Sequence, residues 1–169
     1  MKQRLILHDL AEEPAERLLS DYSADNTVFS AVPIVLSCIG CFGCWTKTPG
    51  RCLIKDRAYE FPELMASHKE LVIVCRIVFG GVSPEVKAVL DRSIGYMLPF
   101  FRIIEGEMHH VQRYERGPDL KYIFYGEEIL QQEKKIAEKL IKANALNFGS
   151  DISTVVFCSS PQEAGEALK

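Results

Sequence analysis

A chain of 169 residues is long enough for one globular domain and short for two. Hydrophobic residues make up 47% and charged residues 25%, which excludes a disordered chain and a fibrous or collagen-like repeat. Twenty Lys+Arg against 23 Asp+Glu leave a net charge of -3, without the basic surplus of a nucleic-acid backbone binder, and apolar runs such as 71–75 and 77–79 are far too short to span a membrane. At the amino terminus, His8 and Asp9 interrupt the apolar run 5–7 before a signal-peptide core develops, so the expected compartment is the cytoplasm.

The run 5–7 reads as a buried strand, continuously apolar as in a parallel sheet covered on both faces. Residues 11–22 predict a helix with Glu12 and Glu13 in its first turn, where Pro14 is tolerated, and with Leu18 and Leu19 inward. A second strand is expected over 27–36, interrupted near Pro33. Segment 37–52 is rich in Gly and Pro and reads as a loop, followed by a short helix at 61–68. The best strand is 70–75, running into Phe79-Gly80-Gly81. A helix over 83–96 follows, with Ser83 as N-cap, Pro84 at its first position and Val86, Val89, Leu90 and Ile94 as its apolar stripe. Residues 99–118 show no period and form a long excursion. Then come a strand at 121–125, a helix at 127–148 with Ile129, Ile136, Leu140 and Ala143 inward and Gly149 at its end, a strand at 154–158 and a helix at 161–168.

Five strands alternating with five helices predict an α/β fold, a single domain over 1–169 with helices on both faces of a parallel sheet. In such sheets ligands lie beyond the carboxyl ends of the strands, at a topological switch point. The segments to inspect are therefore those after Leu7, Leu36, Cys75 and Tyr125.

Six cysteines are present, and Cys38, Cys41, Cys44 and Cys52 fall in one loop within 37–56. C-x2-C-x2-C with a fourth cysteine nearby can direct four soft thiolates at one centre, which suits an iron–sulfur cluster. Zinc, whose usual arrangement is two separated C-x2-C pairs, and free or reversibly oxidised thiols remain open alternatives. Cys75 and Cys158 end apolar strands and read as core residues.

The cysteine loop with Leu53-Ile54-Lys55-Asp56 behind it, the segment Phe79-Gly80-Gly81-Val82-Ser83 through Lys87 and Leu90-Asp91-Arg92, and the element order together resemble the flavodoxin-like superfamily. The likeness is to the branch of NAD(P)H-dependent FMN reductase-like proteins and iron–sulfur flavoproteins, and it spans most of the chain. The resemblance implies a three-layer, doubly wound domain with strand order 2-1-3-4-5, FMN at the carboxyl edge of the sheet and electrons from NAD(P)H or a reduced carrier. It also implies dimers or tetramers. The FMN edge falls on Arg76, Ile77, Val78, Phe79, Gly80 and Gly81, and an iron–sulfur cluster would take Cys38, Cys41, Cys44 and Cys52. The implied activity is that of an oxidoreductase acting on a flavin or another small redox substrate. Two other readings are a cysteine-loop redox or sensor protein with a degenerate flavin site, and a non-enzymatic dimeric interaction module.

The first loop departs from the family pattern. Such loops hold a phosphate dianion with Gly, Ser, Arg, Asn and Thr, whereas His8-Asp9-Leu10-Ala11-Glu12-Glu13-Pro14 has three acids, no glycine and no hydroxyl. Cys75-Arg76-Ile77-Val78 replaces a Ser-Pro-x-Tyr pattern, leaving Arg76 as the cation there, and Arg57 stands where a second Asp is usual. Asp91-Arg92 reads as an ion-paired helix end. In the excursion, Phe100 and Phe101 favour an interface or a flavin cover. Neighbouring His109 and His110 would point opposite ways on a strand and so would not share an ion. Trp45 is expected to pack beneath the cysteine loop.

Overall fold

The computed structural model describes residues 4–22 and 24–168, the side chain at 153 apart; residues 1–3, part of the amino-terminal segment read above, lie outside the described residues. Strands β1 (Arg4–His8), β2 (Thr27–Ser30), β3 (Glu70–Arg76), β6 (Asp119–Tyr125) and β7 (Ile152–Cys158) form one parallel sheet in the order β2-β1-β3-β6-β7. This is the flavodoxin-like order 2-1-3-4-5. The switch point lies between β1 and β3, where the connections leave in opposite directions.

Two apolar layers explain why the central strands are continuously hydrophobic. Leu5, Leu7, Leu71, Ile73, Cys75, Tyr122 and Phe124 point to one face, packing on α3 (Phe61–Ser67), α4 (Pro84–Asp91) and α5 (Gln131–Phe148). Ile6, Val72, Val74 and Ile123 point to the other, beneath α1 (Glu12–Leu19) and α6 (Pro161–Glu166). Alternate residues of a strand face opposite ways, so only a sheet buried on both sides makes such runs stable. Cys75 and Cys158 are core residues, as expected.

Several boundaries differ from expectation. The second strand ends at Ser30 rather than reaching 36, because Ser30 folds back onto the Val32 backbone and Pro33 has no N–H for a ladder. The expected helix over 83–96 is α4 followed by a 3-10 turn, Arg92–Tyr96. The last long helix starts at Gln131, and its inward face is Ala137, Ile141, Ala145 and Phe148. Ile136 and Leu140 are 41% and 38% exposed and Ala143 is exposed, so the stripe expected for that helix is rotated. Small alanines let α5 lie close to the sheet, and hydrophobicity alone does not reveal that.

The excursion is ordered. Strands β4 (Met97–Ile104) and β5 (Glu107–Gln112) form an antiparallel hairpin outside the main sheet. It lacked a visible period because Phe100, Phe101, Ile103 and Met108 are all exposed, so apolar residues occupy both faces. No helix among the described residues is long and apolar enough to cross a membrane.

Candidate functional site

The cysteine loop is closed by one buried cation. Arg92, at the end of α4, donates from Nη1 to the carbonyl of Leu36 at 3.3 Å and to the Asp56 carboxylate, and from Nη2 to the carbonyl of Ile54 at 2.7 Å. Its side chain is 0% exposed, and its guanidinium also faces the Cys52 thiol. The planar fork thus ties the entry of the loop to its exit. Burial alone would raise the Asp56 pKa; hydrogen bonds from Arg92 and from the Ala58 and Leu36 amides outweigh it and hold the carboxyl below its ordinary value. Of the expected Asp91-Arg92 ion-paired end, each residue has a partner elsewhere: Asp91 pairs with Lys87 and Arg92 with Asp56. Arg57 turns to the carbonyl of Val32.

Within the loop, Gly43–Thr46 makes a single helical turn, α2, preceded by Phe42 in the left-handed region at φ 55°. Trp45 donates from Nε1 to the carbonyl of Met97 at 2.8 Å and lies between the rings of Phe42 and His110, pinning the loop to the hairpin. Gly95 makes the approach possible: a Cβ there would lie 3.0 Å from Cys44 Cβ. Cys38 and Cys41 are exposed, Cys44 and Cys52 are buried, and all are free thiols.

The four cysteines line one cavity of about 520 Å3, whose remaining wall includes Trp45, Leu90, Met97, Asn144 and Phe148. Burial pushes the Cys44 thiol up, and the thiols of Cys52, Cys38 and Cys41 add to the effect. The donor set has the softness an iron–sulfur cluster requires. Its atoms are not converged, however: among the described residues no group of three or more Cys, His, Asp or Glu is arranged to hold a metal ion. His109 and His110 diverge as expected. His109 Nδ1 meets Asn147 Oδ1 at 2.9 Å, and His110 Nδ1 donates to the carbonyl of Leu98 at 2.8 Å.

The crevice at the switch point is built by the segments after β1, β3 and β6. Beyond β3, Val78 and Gly81 exchange both backbone hydrogen bonds, at 2.9 and 2.8 Å, around Phe79 at φ 50° and Gly80 at φ 78°. Positive φ at both central residues makes this a tight turn of the kind that suits Asn-Gly. A phenylalanine there is strained by about 1–3 kcal/mol, and it is 89% exposed. At Gly80 a Cβ would lie 2.7 Å from Ile136 Cβ, so the turn rests directly on α5.

Across the crevice stands a group that the sequence reading placed in the loop without assigning a contact. Asp9, half-buried, accepts the Arg76 amide N–H through Oδ2 at 3.0 Å and the Tyr125 hydroxyl through Oδ1 at 2.8 Å. One carboxylate thus bridges the carboxyl ends of β1, β3 and β6. Burial and then Asp9 raise the pKa values of both Cys75 and Tyr125. Beside it, His8 is buried with Nδ1 unpartnered, and its pKa is lowered to about 4 by burial and by the charge of Arg57. His8 is therefore neutral at pH 7 and supplies no cation to the crevice. The available signal was positional: an acid directly after a buried strand at the switch point.

Of the residues expected at the flavin edge, Ile77 and Val78 are half-buried, Gly80 is buried, and Arg76 and Phe79 are exposed. The exposed ring and the glycine turn fit the planar, apolar ring system of a flavin. At the carboxyl end of β1, Asp9 engages the Arg76 amide and the Tyr125 hydroxyl, and Glu12 and Glu13 open α1 with no side-chain cap.

No family model and no curated protein matches the chain. Among solved structures it is similar to general stress protein 14 of Treponema denticola in complex with FMN, with TM-score 0.60 and 11% identity over 98% of this chain and 94% of that one. It is similar also to an FMN-dependent NADH-azoreductase of Bacillus anthracis in complex with FMN, with TM-score 0.60 and 16% identity over 98% and 93%. A third is an NADPH-quinone reductase of P. pentosaceus, with TM-score 0.58 and 10% identity over 99% and 95%. These likenesses establish the flavodoxin-like fold over essentially the whole chain.

Proposed function

We propose that this chain is a single-domain, flavin-dependent oxidoreductase of the NAD(P)H-dependent FMN reductase type, working on a small redox substrate. The observation that carries the reading is the strained, 89% exposed Phe79 on the Val78–Gly81 turn, beside the β1/β3 switch point of a flavodoxin-like sheet. An exposed aromatic residue held in the left-handed region has a stability cost and no packing to offset it, so the position is explained by a ligand. FMN-bound proteins of the same fold, including an NADH-azoreductase, support a flavin as that ligand.

A bound flavin supplies hydride acceptance from a nicotinamide and electron delivery to an acceptor. The chain supplies the seat. Phe79 and the backbone of Arg76, Ile77, Val78, Gly80 and Gly81 present a flat, partly apolar edge to the ring. Gly80 lets the turn pack directly on Ile136 of α5, and that support keeps the edge rigid. Cys38, Cys41, Cys44 and Cys52 are the residues that would ligate an iron–sulfur cluster; their common cavity and soft donors favour it, and the loop would have to draw the four unconverged sulfurs together around it. Phe100, Phe101, Ile103 and Met108 support a homodimer with the hairpin in its interface. Six reduced cysteines suit the cytoplasm.

The test is an absorption spectrum of anaerobically purified protein, with flavin, iron and acid-labile sulfide analysis, before and after addition of flavin and NADH or NADPH. A flavin band bleached by reduced nicotinamide is the expected result. Absence of bound flavin together with failure to take up FMN or riboflavin refutes the flavin assignment. Absence of iron and sulfide refutes the cluster alone.

A further inference from the structure

We infer that Asp9 sets the flavin selectivity of the site: it excludes the 5′-phosphate, so the chain takes riboflavin in preference to FMN. The inference rests on the flavin assignment above and deepens it.

In a sheet of this order the ligand crevice lies between the segments after β1 and β3, with the amino end of α1 above it. A phosphate bound there needs backbone N–H groups and hydroxyls aimed at it. Two such donors, the Arg76 amide and the Tyr125 hydroxyl, are turned to Asp9 instead, at 3.0 and 2.8 Å. Asp9 thus sets an anion of its own at the carboxyl ends of β1, β3 and β6. The first turn of α1 adds Glu12 and Glu13, and Pro14 in that turn lacks an N–H. Neutral His8 contributes no compensating charge. The cations nearby are the exposed Arg76 side chain and Arg57, whose charge reaches His8, against the three carboxylates of Asp9, Glu12 and Glu13.

A dianion placed against this carboxylate is repelled at short range, where partial burial weakens screening. A ligand ending in a hydroxyl avoids that repulsion. Asp9 can accept a hydrogen bond from it, and the buried, unpartnered Nδ1 of His8 is a further neutral polar group at the same strand end. Riboflavin, which carries a terminal hydroxyl where FMN carries the phosphate, therefore matches the electrostatics of the crevice.

The test is equilibrium binding of riboflavin and of FMN to the full chain, followed by quenching of flavin fluorescence, for wild type and Asp9→Asn. Asparagine keeps an acceptor for Tyr125 and removes the charge. Wild type is expected to bind riboflavin at least about tenfold more tightly than FMN, a difference of about 1.4 kcal/mol. Asp9→Asn is expected to close most of that gap by tightening FMN, with riboflavin changed much less. FMN binding as tightly as riboflavin to wild type overturns the inference and leaves the flavin assignment standing. A gap that persists unchanged in folded Asp9→Asn overturns the role of Asp9. Binding of neither flavin overturns the flavin assignment and the inference with it. The wild-type ratio needs no variant and decides the selectivity even if Asp9→Asn fails to fold.

Discussion

Replacing Arg92 by Met removes the guanidinium that joins the two ends of the cysteine loop and leaves a side chain of similar length. The change strands the Asp56 carboxylate and deprives the carbonyls of Leu36 and Ile54 of a donor inside the protein. Breaking a buried ion pair by removing one partner costs about 3–5 kcal/mol. Asp56 is 25% exposed and regains some hydration, which places the expected loss near the lower end, at about 3 kcal/mol. For a chain of this size that lowers Tm by about 6–12 °C. The assay is urea and thermal unfolding of wild type, Arg92→Met, Asp56→Asn and the double variant. The double variant should be more stable than the sum of the single losses predicts, by at least about 1 kcal/mol, because it leaves no unpaired charge. A loss below about 1 kcal/mol in Arg92→Met, or strict additivity, refutes the claim that this pair holds the loop. Asp56 also gives the sign of one pH effect. Its folded pKa lies below its unfolded value, so its contribution is present above about pH 4 and is lost as pH falls below that range.

Three further outcomes follow from the same geometry. His8 has a folded pKa of about 4 against an ordinary 6.5, so the neutral form stabilises the fold above pH 6.5 and that contribution is lost between pH 6.5 and 4. The loss is about 3 kcal/mol by urea unfolding, and His8→Gln flattens the profile; an unchanged profile contradicts the assignment. In native thiol labelling of cluster-free protein Cys38 and Cys41 react rapidly and the four buried cysteines wait for unfolding, so fast modification of Cys52 or Cys75 contradicts the burial. Gly80→Ala should cost about 2 kcal/mol, from φ +78° and a Cβ 2.7 Å from Ile136. Gly106→Ala, at φ +86° with open space, should cost about half as much in the same unfolding assay.

The sheet was legible because its strands are short, doubly buried apolar runs: 5–7, 70–75 and 121–125 each fall within a strand of the main sheet. The hairpin over 97–112 was not, since two-faced apolar exposure carries no alternation to detect. The inward stripe of α5 was misplaced for a related reason. Ala137 and Ala145 are chosen there for closeness of approach, and the larger Ile136 and Leu140 face outward beside the turn and the cavity. At the site, the grouping of Cys38, Cys41, Cys44 and Cys52 followed from spacing, and the structure places all four around one cavity. Asp56 and Arg92 lie 36 positions apart, and Asp9 lies 67 and 116 from Arg76 and Tyr125. No local pattern joins such residues; only the parallel strand order brings them to one edge.

Titration of the purified chain with riboflavin, followed by flavin fluorescence and absorption, tests the central claim most directly. The account predicts saturable binding of one flavin per chain, which Phe79→Ser weakens at least about tenfold without altering the thermal unfolding midpoint downward. Flavin signals that never saturate, or saturation indifferent to Phe79, would contradict it.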